Sequence, residues 1–418
     1  TVTGPMRTSN EGEPGLAQAL ERALLVARED RGGVDDLTHP FHTYPARMHP
    51  ATARALVRLV AGGAGAGPKP TIVDPFCGSG TTLVEARAAG LPAIGIDLNP
   101  LAASLARSKT WASSAQRRAK LVDRARAIAG SVLAAGKAAR RGGFDAPPWR
   151  GPPGVNAAAR NKAIARWFAP HVRRELEAIA SAIDEVAPYD GEVGEILRMA
   201  LSAILYKVSS RASDTDPEWV ERSIARGAPA RLFVQRVENL ARGLARMDGA
   251  PVTRVVVGDA RQAGTLVDPS WRTATMGVVT SPPYAGTYDY AEHHGLRLAF
   301  LGMPAKPFAR GELGARRHLR GDAASDEARW LDELGAALAA IAAVTTPGAL
   351  AAIVIGDSLA GRTPRFARDD VRAALPAELD WAASASASRP LLGVDERSGF
   401  AARGKFEHAI LLRRRPTP

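Results

Sequence analysis

Two short segments of this sequence carry side chains that could bind ligands and do chemistry. Residues 74–82 read DPFCGSGTT and place an acid just before a turn with glycines at 78 and 80. Residues 280–284 read TSPPY and combine hydroxyl groups, two prolines and an aromatic ring. Each segment closes an apolar run that is typical of a buried strand. We therefore expect both at strand ends, where α/β proteins form their ligand sites.

The first segment is typical of a cofactor loop. Gly78 and Gly80 let the backbone approach a ligand without a clashing Cβ, and a helix beginning near Thr81 would direct its free amides at the loop. The Gly-x-Gly-x-x-Gly pattern of nicotinamide-binding proteins is not met, because Leu83 stands three residues after Gly80. A carboxylate at Asp74 would repel a pyrophosphate but suits a cationic cofactor such as S-adenosylmethionine.

Two further acids end predicted strands. Asp97 is placed to bind ribose hydroxyls, and Asp259 could accept a hydrogen bond from an adenine amino group. Aspartates at strand ends also serve as helix caps, and this alternative stays open for Asp74 as well. We interpret Cys77, beside the glycines, as a small loop residue and not as a nucleophile.

The second segment could activate an amino group attached to an aromatic ring. The lone pair of such an amine is delocalised into the ring, so an enzyme helps by accepting hydrogen bonds from its N–H groups. Pro282 and Pro283 supply carbonyls in fixed directions, and Ser281 adds a hydroxyl. Tyr284 offers a flat face for an extruded base, and such stacking contributes about 1–3 kcal/mol.

The elements that position these segments follow from the apolar pattern. Strands are predicted at 71–74, 93–97, 255–259, 276–280, 350–356 and 406–412, with helices at 50–60 and 81–89. Residues 1–35 are predicted to be a flexible arm, 36–100 and 251–418 the two halves of one domain, and 101–250 a helical insertion. The predicted fold class is α/β: a Rossmann-like sheet with a helical insertion between its second and third strands.

The positive charge is concentrated in this insertion. The net charge is +12, and residues 101–250 hold 25 Lys and Arg against 15 Asp and Glu. Such a localised excess favours contact with nucleic acid, while the alternative is a solvated basic surface. The candidate contacts are Arg117, Arg118, Lys120 and Arg124 in the insertion, and Arg316 and Arg317 beyond it.

Composition narrows the other classes of function. One cysteine excludes an internal disulfide, and no apolar run reaches transmembrane length. We therefore expect a cytoplasmic protein that has no membrane partner. His42 and His49 are not accompanied by a cluster of acids or cysteines, so we expect no metal.

The two segments together resemble the cofactor loop and the catalytic loop of DNA methyltransferases that modify the exocyclic amine of cytosine or adenine. The resemblance covers residues 41–100 and 252–302 well, and 350–414 loosely. It implies a class I methyltransferase domain, S-adenosyl-L-methionine as the cofactor, DNA as the partner and the insertion as a target-recognition region. The implied catalytic residues are Ser281, Pro282, Pro283 and Tyr284. The implied cofactor contacts are Tyr44, Asp74, Phe76, Gly78, Gly80, Thr81, Asp97 and Asp259.

The form Ser-Pro-Pro-Tyr is more typical of the enzymes that methylate N4 of cytosine. Methylation of N6 of adenine, methylation of rRNA or tRNA, and a binding protein on the same fold remain as alternatives. Tyr288 and Tyr290 could line a base pocket or merely pack their loop. Residues 211–217 could approach the substrate.

Overall fold

The computed structural model describes residues 8–30, 32–63, 69–140, 149, 151, 162, 164–361, 363–375, 381–391, 400 and 403–415. Predictions for residues 1–7 of the arm, and for much of the basic segment between 141 and 163, fall outside the described residues. Every helix in the described ranges is too short or too polar to cross a lipid bilayer.

The strands and α-helices have the following bounds. The strands are β1 (Ser9–Gly12), β2 (Thr71–Asp74), β3 (Ala93–Asp97), β4 (Thr253–Val257), β5 (Met276–Thr280), β6 (Leu350–Gly356), β7 (Ser358–Ala360), β8 (Thr363–Arg365), β9 (Trp381–Pro390) and β10 (Phe406–Arg414). The helices are α1 (Pro14–Glu29), α2 (Pro50–Gly62), α3 (Thr81–Ala88), α4 (Pro100–Lys109), α5 (Ala115–Arg140), α6 (Pro170–Val186), α7 (Gly191–Leu205), α8 (Ala228–Ala245), α9 (Ala263–Leu266), α10 (Tyr290–His293), α11 (Gly295–Leu301), α12 (Ala305–Gly311), α13 (Ala323–Val344) and α14 (Ala367–Ala374).

A central eight-stranded sheet has the order β1-β9-β10-β6-β5-β2-β3-β4. The strands β4, β3, β2, β5 and β6 run parallel to one another. β10 is antiparallel to both β6 and β9, and β1 is antiparallel to β9 at the edge. The predicted Rossmann-like α/β fold is thus confirmed. The strand order reverses between β2 and β5, and α/β sheets bind their ligands at the carboxyl ends of strands at such a reversal.

Four strands of the sheet, β2, β3, β5 and β6, have the predicted bounds. β4 spans Thr253–Val257, two residues earlier than predicted at both ends, because its pairing with β3 ends where Asp97 lies opposite Val257. Asp259 therefore follows the strand and caps a short 3₁₀ turn. β10 continues beyond its predicted end, because Arg413 and Arg414 still pair with neighbouring strands.

Within the arm predicted for residues 1–35, residues 8–30 include a strand and a helix that pack on the sheet. There β1 pairs with β9, and α1 packs against β9 and α2. Leu20 and Leu24 lie four residues apart on one face of α1, and both are fully buried. Burying such side chains contributes about 1.5–3 kcal/mol each, which explains the attachment.

The helical region lies between β3 and β4 in the chain, as predicted. Its first helix, α4, packs on β3, β4 and α7, and its Leu101 and Leu105 lie in the same hydrophobic cluster as the helices that follow. Helices α5 to α8 follow and share one hydrophobic cluster with α3 and α11. Phe300 of α11 lies in this cluster, so the helical region packs against the segment that follows the catalytic loop.

Candidate cofactor and substrate site

The cofactor loop connects β2 to α3 through a tight turn. Gly78 and Gly80 have φ angles of +50° and +81°, a region that disfavours residues with side chains. A Cβ at Gly80 would lie 2.9 Å from the Cα atom of Ala106 on α4. The Gly78 N–H donates to Asp97 Oδ2 at 2.8 Å, and this hydrogen bond ties the loop to the end of β3.

Asp74 joins the cofactor loop to the catalytic loop. Its Oδ1 accepts hydrogen bonds from Thr280 Oγ1 at 2.7 Å and from the Phe76 N–H at 3.1 Å. Burial raises the pKa of Asp74 to about 6, although these hydrogen bonds act in the opposite direction. Asp74 is therefore an acid whose charge changes near neutral pH at the junction of the two loops.

Asp97 is the second acid at the carboxyl edge of the sheet. Its Oδ1 accepts a hydrogen bond from the Asn99 N–H at 2.8 Å, while Oδ2 accepts the one from Gly78. Burial raises the pKa of Asp97 to about 7, and the nearby carboxyls of Asp74 and Glu312 raise it further. Each carboxylate oxygen can accept a second hydrogen bond, so Asp97 retains capacity for a ligand hydroxyl.

A cleft of about 870 Å³, open to solvent, brings most of the predicted site residues together. The predicted residues that line it are Tyr44, Asp74, Phe76, Gly78, Thr81, Asp97, Asp259, Ser281 and Pro283. Gly80, Pro282 and Tyr284 do not line it. Asn99, Phe308 and Glu312 also line the cleft, and the sequence analysis missed them. Asn99 has a local signal, because it follows Asp97 by two residues and precedes Pro100 as the N-cap of α4. Phe308 and Glu312 belong to a segment without a recognisable motif, so no sequence signal marks them.

Two hydroxyl groups in the cleft lack partners. Ser79 Oγ and Thr81 Oγ1 are buried, line the cleft and have no hydrogen-bond partner among the described residues. A buried polar group without a partner costs about 1–3 kcal/mol, so a polar ligand would stabilise the loop. Asp74 and Asp97 add two carboxyl groups that have no ion pair among the described residues, while Glu312 is paired with Arg317. Free hydroxyls beside carboxylates fit S-adenosyl-L-methionine, which carries positive charges and ribose hydroxyls.

Tyr44 and Tyr290 form an aromatic wall of the cleft. Their rings are stacked with centroids 6.2 Å apart, and the ring of His294 lies 4.7 Å from that of Tyr44. The Tyr290 N–H donates to Glu312 Oε1 at 2.6 Å, which fixes the backbone there. The sequence leaves open whether Tyr290 lines a pocket or only packs its loop, and the structure favours the first alternative, because Tyr290 lines the cleft.

Tyr284 is held by the sheet beside the cleft. Its hydroxyl donates to Glu407 Oε1 at 2.9 Å on β10. Its ring lies against Gly356 of β6, where a Cβ would be 2.5 Å from ring atom Cε2. Burial raises the pKa of Tyr284 well above its usual value. One face of the predicted stacking ring is therefore in contact with protein.

Asp259 is already paired within the protein. Arg261 Nη2 lies 2.6 Å from Asp259 Oδ2, and Arg261 Nε lies 2.9 Å from Oδ1. The backbone N–H of Arg261 also donates to Asp259 Oδ1 at 2.9 Å. Asp259 thus acts as a cap, the alternative left open by the sequence, while it lines the cleft as well.

The predicted nucleic-acid contacts of α5 do not form one free cluster. Arg118 has a side chain that is 7% exposed, and it makes two hydrogen bonds of 2.6 Å with Asp248. Arg117 is paired with two acids at the start of α7. Lys120 and Arg124 are exposed. The first two side chains therefore hold helices together, and the other two face solvent.

Arg316 and Arg317 lie close to the cleft. Arg317 makes ion pairs with Asp289 at 3.0 Å and with Glu312 at 2.8 Å. Arg316 approaches Asp289 at 3.4 Å, and its side chain is 52% exposed. Arg317 therefore fixes a wall of the cleft, while Arg316 remains available at the surface.

Comparison with known proteins finds methyltransferase sequence in the cofactor half of the chain. Residues 40–132 match the family UPF0020, RMKL-like, methyltransferase domain. The chain is also similar to the type II methyltransferase M.MvaI of Kocuria varians, with 44% identity over 78 residues. This match covers 18% of the present chain and 16% of that relative. The family match therefore supports a methyltransferase domain around the cofactor loop. The match to M.MvaI leaves most of this chain and most of that relative uncovered.

The chain also resembles two solved structures, at lower sequence identity. TrmN from Thermus thermophilus has 13% identity and a TM-score of 0.34, with 90% of this chain and 52% of that chain covered. The rRNA methyltransferase aviRa from Streptomyces viridochromogenes has 13% identity and a TM-score of 0.34, with 92% and 94% covered.

Proposed function

We propose that this protein is an S-adenosyl-L-methionine-dependent methyltransferase that modifies an exocyclic amine of a nucleic-acid base, with N4 of cytosine in DNA as the target. The observation that carries the proposal is the shared cleft. Ser281 and Pro283 line the same space as Asp74 and Asp97, so a cofactor and an amine bound there would meet. The methyltransferase match over residues 40–132 supports the same reading.

The cofactor, when bound, supplies the methyl group. Asp97 would accept hydrogen bonds from the ribose hydroxyls of the cofactor, and Asp74 would stabilise the positive charge of the cofactor. The unpartnered hydroxyls of Ser79 and Thr81 would bind its polar groups. Tyr44 lies beside Gly78, 3.6 Å from where a Cβ would be, and would cover the loop from the other side.

The catalytic loop would orient the amine. Ser281 Oγ and a proline carbonyl would accept hydrogen bonds from the two N–H groups of the base, which makes the nitrogen more tetrahedral and directs its lone pair toward the methyl group. The nitrogen–carbon bond would form as the carbon–sulfur bond breaks, and the nitrogen would then release one proton to solvent. The benefit is positioning, because reacting atoms held in line avoid the entropic cost of a bimolecular encounter. A serine in this position, in place of an acid or amide, favours cytosine over adenine by resemblance.

The test is methyl transfer from labelled cofactor to duplex DNA and to RNA, followed by digestion to nucleosides and mass spectrometry. We expect label in N4-methylcytosine from DNA, and a large decrease with Ser281→Ala. Label in N6-methyladenine would overturn the assignment of the base. Label found in RNA alone would overturn the class of substrate, and label in neither would overturn the activity.

A further inference from the structure

The segment that forms one side of the cleft carries positive charge on its outer surface. Phe308 and Glu312 line the cleft from within α12 and the turn after it. Four basic side chains of the same segment are exposed. We call them the cleft rim: Lys306, Arg310, Arg316 and Arg320.

The charges of the cleft rim are largely uncompensated. Lys306, Arg310 and Arg320 have no ion pair among the described residues, and Arg316 has a single contact of 3.4 Å with Asp289. Arg117 and Arg118 of α5 differ, because each forms an ion pair with an acid of a neighbouring segment. Free cations close to the cleft attract a polyanion more strongly than paired ones do.

The segment that carries the cleft rim is joined to the wall of the cleft. Arg317 binds both Asp289 and Glu312, and Glu312 accepts the Tyr290 N–H at 2.6 Å. Tyr290 is part of the aromatic wall, so ion pairs and a hydrogen bond connect the basic segment to that wall. A strand bound on the rim would therefore lie beside the cleft that Ser281 lines.

The cleft and the rim differ in the charge that they present to a nucleic acid. Asp74 and Asp97 line the cleft without an ion pair among the described residues, and their ionised forms would repel phosphate groups, while Glu312 is paired with Arg317. A neutral base can enter this space, while its phosphates must remain outside. Two open depressions, of about 780 and 740 Å³, meet at Arg320 on the outer surface, with Arg316 in one and Lys306 in the other.

We propose that the cleft rim binds the phosphate backbone of the nucleic-acid strand whose base enters the cleft. The proposal rests on the proposed function, and it assigns to residues 306–320 the contact that the sequence places mainly on α5. Because the rim recognises phosphate groups, it carries no sequence specificity of its own.

The test compares two triple variants with equal loss of charge. The first is Lys306→Gln, Arg310→Gln and Arg320→Gln. The matched control is Lys120→Gln, Arg124→Gln and Lys137→Gln, three exposed cations of α5. The dissociation constants for duplex DNA and for RNA are measured by fluorescence anisotropy over a range of salt concentrations, and circular dichroism verifies that each variant is folded.

We expect the rim variant to reduce the slope of log K against log salt for duplex DNA by about 0.9 per lost phosphate contact, or about 2–3 in total. The control should retain the wild-type slope. The single variant Arg320→Gln should reduce it by about 1, since one phosphate contact is lost. A slope unchanged in the rim variant, or reduced equally in both triples, would overturn the proposal.

Binding and methyl transfer separate this inference from the proposed function. A wild-type protein that binds DNA through the rim but transfers no methyl group would support the rim and contradict the enzyme. A protein that transfers methyl groups to DNA, but whose salt slope is the same in the rim variant, would support the enzyme and contradict the rim. If the rim variant reduced the salt slope for RNA and not for DNA, the rim would stand and its partner would be RNA. If the wild-type protein bound neither nucleic acid, both proposals would be overturned.

Discussion

Thr280 Oγ1 donates a hydrogen bond of 2.7 Å to Asp74 Oδ1 across 206 positions of sequence, and both groups are buried. The bond connects the ends of β5 and β2, the two strands at which the sheet order reverses. Ser281 follows Thr280 directly, so this hydrogen bond helps to set the distance between the catalytic loop and the cofactor loop.

Thr280→Val should lower the free energy of unfolding by about 1–3 kcal/mol, because a methyl group replaces the hydroxyl and the buried Asp74 Oδ1 keeps only the weaker hydrogen bond from the Phe76 N–H. The rate of methyl transfer should fall as well, because the hydrogen bond that helps to position the neighbouring Ser281 is lost. Urea denaturation measures the first effect. Thr280→Ser retains the hydroxyl and should stay close to the wild type, and a stable, fully active valine variant would contradict the role of this bond.

Asp97→Ala should weaken binding of S-adenosyl-L-methionine by about 1–3 kcal/mol, because a charged acceptor for the ribose hydroxyls is lost. Isothermal titration calorimetry measures the affinity. Asp259→Asn is a useful comparison, since Asp259 is already paired with Arg261 and should contribute less. Unchanged affinity in the Asp97 variant would remove the ribose assignment.

The acids of the cleft predict a pH dependence with a definite sign. Burial raises the pKa of Asp74 to about 6 and that of Asp97 to about 7, above the unfolded value of about 3.9. Between these values the folded protein binds more protons than the unfolded chain, so these two groups make the free energy of unfolding fall as the pH rises.

Affinity for a cationic cofactor should change in the opposite sense. The ionised carboxylates attract positive charge, so we expect tighter binding at about pH 8 than at about pH 5.5. Calorimetry at the two pH values tests this. The double variant Asp74→Asn and Asp97→Asn should bind weakly and with little pH dependence, and a wild-type affinity that falls with rising pH would contradict the assignment.

The two tyrosines near the catalytic loop should behave differently when replaced. Tyr290→Ala should reduce methyl transfer strongly and leave the free energy of unfolding less affected, because Tyr290 lines the cleft. Tyr284→Ala should reduce both, since its ring packs on Gly356 and its hydroxyl binds Glu407.

Thermal denaturation and methyl transfer measured on the same preparations separate the two effects, with cofactor affinity expected near wild type for Tyr284→Ala. Tyr284→Phe is the matched variant, because it removes the hydrogen bond to Glu407 and keeps the ring. If Tyr290→Ala left transfer intact, the aromatic wall would have no part in binding the base.

The central strands could be predicted because their physical causes are local. Residues 71–74 and 93–97 are short apolar runs that each end on an acid, and continuous apolar runs are typical of parallel strands that are buried on both faces. The cofactor loop followed from glycine spacing, since few other residues adopt the φ angle of +81° found at Gly80. These features are visible within a few residues of sequence.

The missed elements depend on distant partners. β9 reads WAASASASRP, whose alanines and serines carry little apolar signal, although Ala385 and Ala387 are buried between neighbours. β1 is exposed along its length and is held by pairing with β9. Glu312 enters the cleft because Arg317 and the Tyr290 N–H hold it, a relationship that no local pattern encodes.

The location of β10 imposes an order on biosynthesis. β10 lies between β6 and β9, and β1 joins the sheet through β9. Until β10 has emerged from the ribosome, β9 and β1 have no paired strand that connects them to β6. During that interval the nascent chain exposes the apolar edge of LAAIVIG, and an open apolar edge invites pairing with other chains. Helix α1 can pack on α2 earlier, but β1 must wait for β9 and β10, which lie nearly four hundred positions later in the chain.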